Sequence, residues 1–331
     1  MTKKIIYFPH RPTTGGPSSF QARLESKLCK NGYAVSYADE EFKMKSSVII
    51  VVNGTKKILW LIKCKIYGVK IIHRLDGVYT YSFNLKSGIK NFIKYRLILK
   101  LINFIRCWLA DHIVYQSLYI KNSWEEFAGI KKKNTIIYNA VNLDEFYPIG
   151  KKTNILDLKV VAVEGSVQGE LAVKALQSLA GYHVDVYGDL GKEIQDNIDN
   201  FQNEKIIFHG SIPRENISKV FIGRKIYLCL EINPACPNSV IESLASGVPV
   251  VGYNSGSLLE LVGDAGIILP YNGGDPNKFE APDCKDLNLA IKKINENYNY
   301  YSDQARLRAE KFFNLEKQFT KYKEIIEKNI F

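Results

Sequence analysis

The feature that most restricts the fold is a rhythm. Short apolar runs rich in Val and Ile recur along the chain, each separated from the next by a longer amphipathic segment. In the first half the runs are "KIIYF" (4–8), "YAVSY" (33–37), "SVIIVV" (47–52), "VKIIH" (69–73), "HIVYQ" (112–116) and "TIIYN" (135–139). Helical spacing fills the gaps near 17–31, 56–67, 85–109 and 117–128. Near-continuous apolar strands between helices predict a parallel sheet covered on both faces. The rhythm restarts after "YPIGKKTN" (147–154), with strands expected from 158 to 270 and a long charged amphipathic stretch over 302–328. The expected fold class is therefore α/β, two doubly wound Rossmann-like lobes facing a cleft. The lobes are expected over 1–150 and 151–331, with the last helix a candidate to pack back on the first. Ligands of such sheets bind outside the carboxyl ends of the strands, which makes the cleft the expected site.

Charge divides the two halves. Residues 1–150 hold 24 Lys and Arg against 10 Asp and Glu, whereas 151–331 hold 21 against 24. An excess confined to one half points to an anionic partner for that half: nucleic acid, anionic lipid or a phosphorylated substrate. No nucleic-acid-binding motif accompanies it. No acidic residue occurs from Val78 through Ala110, and Lys86, Lys90 and Lys94 fall on one helix face. Such a helix either lies on an anionic membrane surface or presents a solvated lysine face above the core. No segment reaches the roughly 20 apolar residues of a membrane span, and no leader is evident. The expectation is a cytoplasmic protein, peripheral on the inner face of the membrane. The six cysteines form no CxxC pair and the five histidines no ligand spacing, so neither disulfides nor a metal is expected.

Five stretches are candidates for chemistry. In "NPACPNSVIESLASGVPVV" (233–251), Ser239 and Glu242 have the S-x-x-E spacing of a capping box, and Gly247 is placed to stop the helix. The same helix start exposes backbone N–H groups near Asn238 and Ser239 to an anionic oxygen, with Glu242 one turn in for a ribose diol. "TTGGPSSF" (13–20) puts Gly15 and Gly16 between strand and helix. There they either let a ligand approach the backbone or form a plain loop capped by Ser18 or Ser19. "IIHRLDGVY" (71–79) bunches His73, Arg74 and Asp76 at a strand end, for a sugar hydroxyl or a developing cation, or as a surface ion pair. "AVEGSVQGE" (162–170) brackets a polar turn with Gly165 and Gly169. "NSGSLLELV" (254–262) offers a second box, Ser257 to Glu260, read as a cap.

Together these residues resemble a glycosyltransferase of the GT-B fold, similar to family 4, the nucleotide-sugar-dependent "glycosyltransferases group 1". The resemblance runs through "GGPSSF", "IIHRLDG", "VYQSLYIKNSW", "IIYNAVNLDEFYP" and "FHGSIPRENI" to "CPNSVIESLASGVPVVGYNSGSLLELV". It implies hexose transfer from a nucleotide-sugar to a glycan or lipid-linked acceptor in bacterial surface polysaccharide synthesis, with retention and no metal or other cofactor. It carries the ribose contact onto Glu242, the donor sugar and phosphate onto Asn238 and Ser239, and the donor phosphates onto Gly15 and Gly16. The residues themselves add Asp76 beside Glu242 as the catalytic candidates, Gly165 and Arg214 to the donor site, and His73 and Arg74 to the acceptor site. The chain departs from the family in two places. The first acid of the family's E-x7-E segment falls on Pro234, with Glu231 out of register, and the phosphate-binding Arg and Lys are missing from "EGSVQGE". Arg214 is the candidate replacement. A nucleotide-sugar epimerase of the same fold and a catalytically impaired donor-binding subunit are the alternatives.

Overall fold

The computed structural model describes residues 4–13, 15–41, 47–78, 89–130, 133–148, 159–167, 169–179, 181–196, 201 and 205–330. Of 89–92, 159–167, 193 and 330 it describes the backbone alone. The chain forms two units, Met1–Asn139 with Glu316–Phe331, and Ala140–Leu315. The boundary read at 150 falls within 149–158, outside the described residues.

Unit 1 is built on six parallel strands: β1 (Ile5–Phe8), β2 (Ala34–Tyr37), β3 (Ser47–Val52), β4 (Lys70–Leu75), β5 (His112–Tyr115) and β6 (Asn134–Ile136). Their order is β2-β1-β3-β4-β5-β6. Its helices are α1 (Gly16–Lys30), α2 (Ile58–Ile66), α3 (Ile89–Phe104) and α4 (Leu118–Ala128). β3 shows why the strands are apolar throughout. Val48 and Ile50 join Phe20, Leu24 and Leu28 of α1 on one face, while Ile49 and Val51 join Leu61 and Cys64 of α2 on the other. Of the helix expected over 85–109, positions 85–88 and the side chain of Lys90 lie outside what is described, Lys86 among them. The described part runs as α3 and then widens into a π-helical turn, Ile105–Leu109. The wider turn carries Arg106 inward, fully buried, where its guanidinium donates to Tyr115 Oη and to the Gly129 carbonyl at 2.7 Å, just past the end of α4.

Unit 2 repeats the plan with β7 (Lys159–Val167), β8 (His183–Leu190), β9 (Ile206–Gly210), β10 (Ile226–Leu228), β11 (Val250–Tyr253) and β12 (Gly266–Leu269). All pairs are parallel and the order is β12-β11-β10-β7-β8-β9. Its helices are α5 (Gly169–Ser178), α6 (Lys192–Gln195), α7 (Ile217–Val220), α8 (Asn238–Ala245), α9 (Leu258–Val262), α10 (Leu287–Glu296) and α11 (Tyr298–Phe312). Leu171 and Leu176 of α5, Val184 and Val186 of β8, and Ile291 and Ile294 of α10 share one core. The amphipathic stretch 302–328 is two helices, interrupted at Phe313 and Asn314. The second, α12 (Leu315–Ile330), belongs almost wholly to unit 1, where Phe319, Tyr322 and Ile326 close the core over β1, β3 and α1. Among the described residues no helix is long and apolar enough to cross a membrane.

In each sheet the strand order reverses once, between β1 and β3 in unit 1 and between β7 and β10 in unit 2. Such reversals open a crevice at the carboxyl ends of the strands.

Candidate functional site

In unit 1 the loops that leave β1 and β3 are joined by a 2.7 Å hydrogen bond between His10 Nε2 and Thr55 Oγ1. Gly15 is the N-cap of α1, with φ +91°, a conformation that favours glycine. Among the described residues, a Cβ added at Gly15 or Gly16 would meet no atom within 4 Å. The alternative of a plain loop capped by Ser18 or Ser19 is not what forms: the helix starts ahead of both, and Ser18 Oγ pairs with Thr13 Oγ1 at 3.3 Å.

The end of β4 is buried. Arg74, 1% exposed, lies over the Phe20 ring and donates to Asp76 Oδ1 and, at 2.8 Å each, to Gln116 Oε1 and Asn139 Oδ1. Trp124 Nε1 donates to the Asp76 carbonyl at 2.9 Å. Asp76 Oδ2 is buried and has no hydrogen-bond partner among the described residues. His73 points to the other face of the sheet, fully buried, with Nε2 donating to the Asn53 carbonyl at 2.6 Å. That bond leaves Nδ1 as the unprotonated nitrogen of the neutral ring. Burial, helped by the nearby Arg106 cation, pushes the His73 pKa down to about 4. Arg74 and His73 are thus interior groups, and Asp76 is the member of the trio with an uncommitted oxygen.

In unit 2 the reversal lies between β7 and β10, and α8 follows β10. α8 begins at Asn238, not at Ser239, and its N-cap is Pro237. The capping box is therefore absent. Pro237, with φ −65° and ψ 130°, already has the extended backbone an N-cap requires, and its ring carries no acceptor. Ser239 instead accepts a 2.9 Å hydrogen bond from Tyr227 Oη of β10, and its own hydroxyl proton can be given to an acceptor. Glu242 is 6% exposed, one of six consecutive buried residues in α8. The helix end does follow expectation. Gly247, at φ +69°, closes a Schellman turn in which Val248 N–H donates to Ser243 O and Gly247 N–H to Leu244 O. The second box is also absent: Ser257 is the N-cap of α9, but at φ −88° and ψ 1° it lacks the extended backbone of a capping residue, and its hydroxyl makes no capping bond.

The loop before α8 is held by the loop after β11. Asn233 adopts φ +55°, its N–H donates to Ser255 Oγ at 3.1 Å, and Ser257 N–H donates to the Pro234 carbonyl at 2.8 Å. Gly256 lies so close that a Cβ there would sit 2.5 Å from the Asn233–Pro234 peptide. Pro234 is buried in this clamp, whereas Glu231 is exposed. Gly165 is not in a loop. β7 continues to Val167, and its pairing with β8 shifts between Val163 and Ser166, which places Gly165 in a bulge; Gly169, at φ +84°, opens α5. Arg214 is exposed in a single 3-10 turn beyond β9, the edge strand, three positions from β10 in the sheet. The structure thus gathers Gly165, Asn238, Ser239 and Glu242 on the elements around the unit 2 reversal and leaves Arg214 off it.

Sequence reasoning passed over Asn53, whose φ of +58° at the end of β3 and buried, unpartnered Oδ1 mark it as a constrained residue beside the unit 1 reversal. An Asn directly before Gly at a strand end was the available signal. Among the described residues no group of three His, Cys, Asp or Glu side chains comes together as a metal site.

Two parallel sheets of this kind, with the second reversal occupied by the start of a buried helix, define the GT-B fold of glycosyltransferases. Residues 166–310, which lie within unit 2, match the family model described as glycosyl transferases group 1. Solved structures agree on the fold. Sucrose-phosphate synthase from Thermosynechococcus elongatus aligns with TM-score 0.70 at 14% identity, covering 98% of both chains. HepE of Anabaena, solved in complex with UDP, aligns with TM-score 0.73 at 12% identity, covering 98% of this chain and 100% of that one. A glycosyltransferase from Rickettsia africae aligns with TM-score 0.70 at 14% identity, covering 100% and 99%. No curated protein sequence matches.

Proposed function

We propose that the protein is a hexosyltransferase that moves a sugar from a nucleotide-sugar to a glycan or lipid-linked acceptor, with retention, in bacterial surface polysaccharide synthesis on the cytoplasmic side of the membrane. The observation that carries this reading is α8. A buried glutamate stands one turn inside a helix that starts directly after β10, the strand beside the unit 2 reversal, within the stretch that matches the family model. The helix start and the Ser239 hydroxyl stabilise the departing diphosphate, and Glu242 accepts from the nucleoside ribose. Gly15 and Gly16 leave room for the donor phosphates. Asp76 Oδ2 faces the acceptor hydroxyl or the developing cation. The bond from the sugar's anomeric carbon to the diphosphate breaks as the bond to the acceptor oxygen forms, and the acceptor's proton passes to the released phosphate. One structural neighbour, HepE of Anabaena, is solved with UDP, with UDP and glucose, and with UDP-glucose, so uridine nucleotides are the first donors to test.

The test is thermal stabilisation by UDP, GDP and ADP and their sugars, followed by donor hydrolysis. One nucleotide should raise Tm, and Glu242→Gln should weaken that nucleotide about 10- to 100-fold, the worth of one charge-assisted hydrogen bond. No stabilisation by any nucleotide-sugar would remove the reading. Transfer should be unchanged by EDTA, since the chemistry is assigned to protein dipoles rather than a metal. Pro234 at the first acidic position of the family's motif, and the lack of Lys or Arg in 162–170, favour one second reading, a donor-binding subunit without turnover. Donor affinity with no hydrolysis and no transfer would select it.

A further inference from the structure

We propose that α2 and α3 of unit 1 form a docking face for an anionic bilayer surface. α3 and the π-helical turn that continues it are apolar on two opposite sides. Leu99, Ile102, Ile105 and Leu109 bury against unit 1. On the far side Ile93, Leu97, Lys100, Phe104 and Trp108 follow one another at steps of four, three, four and four, a single outward stripe. Leu97 is 61% exposed and Trp108 72%. A helix apolar all round is ordinarily covered all round, so this stripe calls for a cover. Exposed Lys94 and Arg96 flank it, and Lys100 interrupts it.

α2 packs beside the π-helical turn and repeats the pattern. Leu61 and Cys64 are buried, while Leu59 (83% exposed), Lys63 and Ile66 (78%) share the outer face. Apolar side chains set among lysines and arginines, with no acid from Val78 to Ala110, match a surface of negative headgroups over an acyl interior. The lysine stems extend along the apolar stripe while their ammonium groups reach the headgroups. A protein partner would need acidic and apolar groups interdigitated at these same spacings. A bilayer needs no such match.

The test is sedimentation with vesicles of phosphatidylcholine containing about one third phosphatidylglycerol, against phosphatidylcholine alone, at low and high salt. Binding should require the anionic lipid and fall as salt rises. Trp108 should shift its emission to the blue on binding, and Trp108→Phe should abolish the shift. Neutralising Lys63, Arg96 and Lys100 to Ala should lower the partition constant about a hundredfold, about fivefold per cation. Leu59→Ala with Trp108→Ala should weaken binding at every salt concentration. All these residues are exposed, so Tm should stay near that of the parent. Equal binding to both vesicles, no binding to either, variants that sediment like the parent, or a dimer abolished by Leu59→Asp and Trp108→Asp would each overturn the proposal. Donor-induced stabilisation is read in the same samples. Its absence would count against the transferase reading and leave this one intact.

Discussion

His73 turns burial into a pH dependence. Its folded pKa of about 4 lies below the ordinary 6.5, so between those values the unfolded chain binds more protons than the folded one. Stability from this residue is complete above pH 6.5 and declines as pH falls toward 4, by up to about 3 kcal/mol. Urea titrations across that window should show the decline, and His73→Asn should flatten it even though the buried substitution lowers stability overall. Gly15 makes a different prediction. Gly15→Ala forces a side chain into φ +91° and ψ 174°, a region essentially reserved to glycine, and should cost about 1–3 kcal/mol. No atom of the described residues is in the way, so any loss of nucleotide affinity beyond that, read by calorimetry, reports a ligand in the space. At this scale the sequence showed residue types better than roles. "HRLD" marked the end of β4, but nothing in it said that Arg74 would turn under Phe20 or that His73 would face the opposite side. Strand alternation puts neighbours on opposite faces, and which face is interior depends on helices far away in sequence.

At the scale of elements, α8 is fixed at both ends. Arg306 of α11 donates to the Ala245 carbonyl at 2.8 Å and to the Phe146 carbonyl at 2.8 Å, placing a cation at the helix C-terminus. Arg306→Met should destabilise unit 2 by about 1–3 kcal/mol, the cost of leaving such carbonyls unpaired. Gly247→Ala combines a positive φ with a Cβ only 3.0 Å from the Pro148 ring, and should cost about 1–2 kcal/mol in thermal melts. The strands and helices themselves were legible, because a buried parallel sheet demands continuous apolar runs and little else produces them. The helix starts were less so. Both S-x-x-E boxes were false, since a box depends on the φ and ψ of its first residue, and here Pro237 and the αR-like Ser257 backbone decided the matter. The bulge in β7 was invisible for a similar reason: Gly165 looks the same in a turn as in a strand that gains a residue against its neighbour.

For the whole molecule, the connectivity matters as much as the sheets. The chain leaves unit 1 at Asn139, completes unit 2, and comes back at Glu316 with α12. Removing residues 316–331 would uncover the partners of Phe319, Tyr322, Ile325 and Ile326, each worth about 1.5–3 kcal/mol when buried. The sum, roughly 6–12 kcal/mol, matches the stability of an entire domain, so the truncated chain should lose the unit 1 transition in calorimetry while unit 2 still melts. Supplying α12 as a separate peptide should restore it. The same connectivity reverses the timetable of synthesis. A ribosome working at roughly 5–20 residues per second finishes the second unit before the first has its closing helix. For about 10–35 seconds the earlier-made sheet carries a bare apolar side, the time in which a chaperone has most to hold.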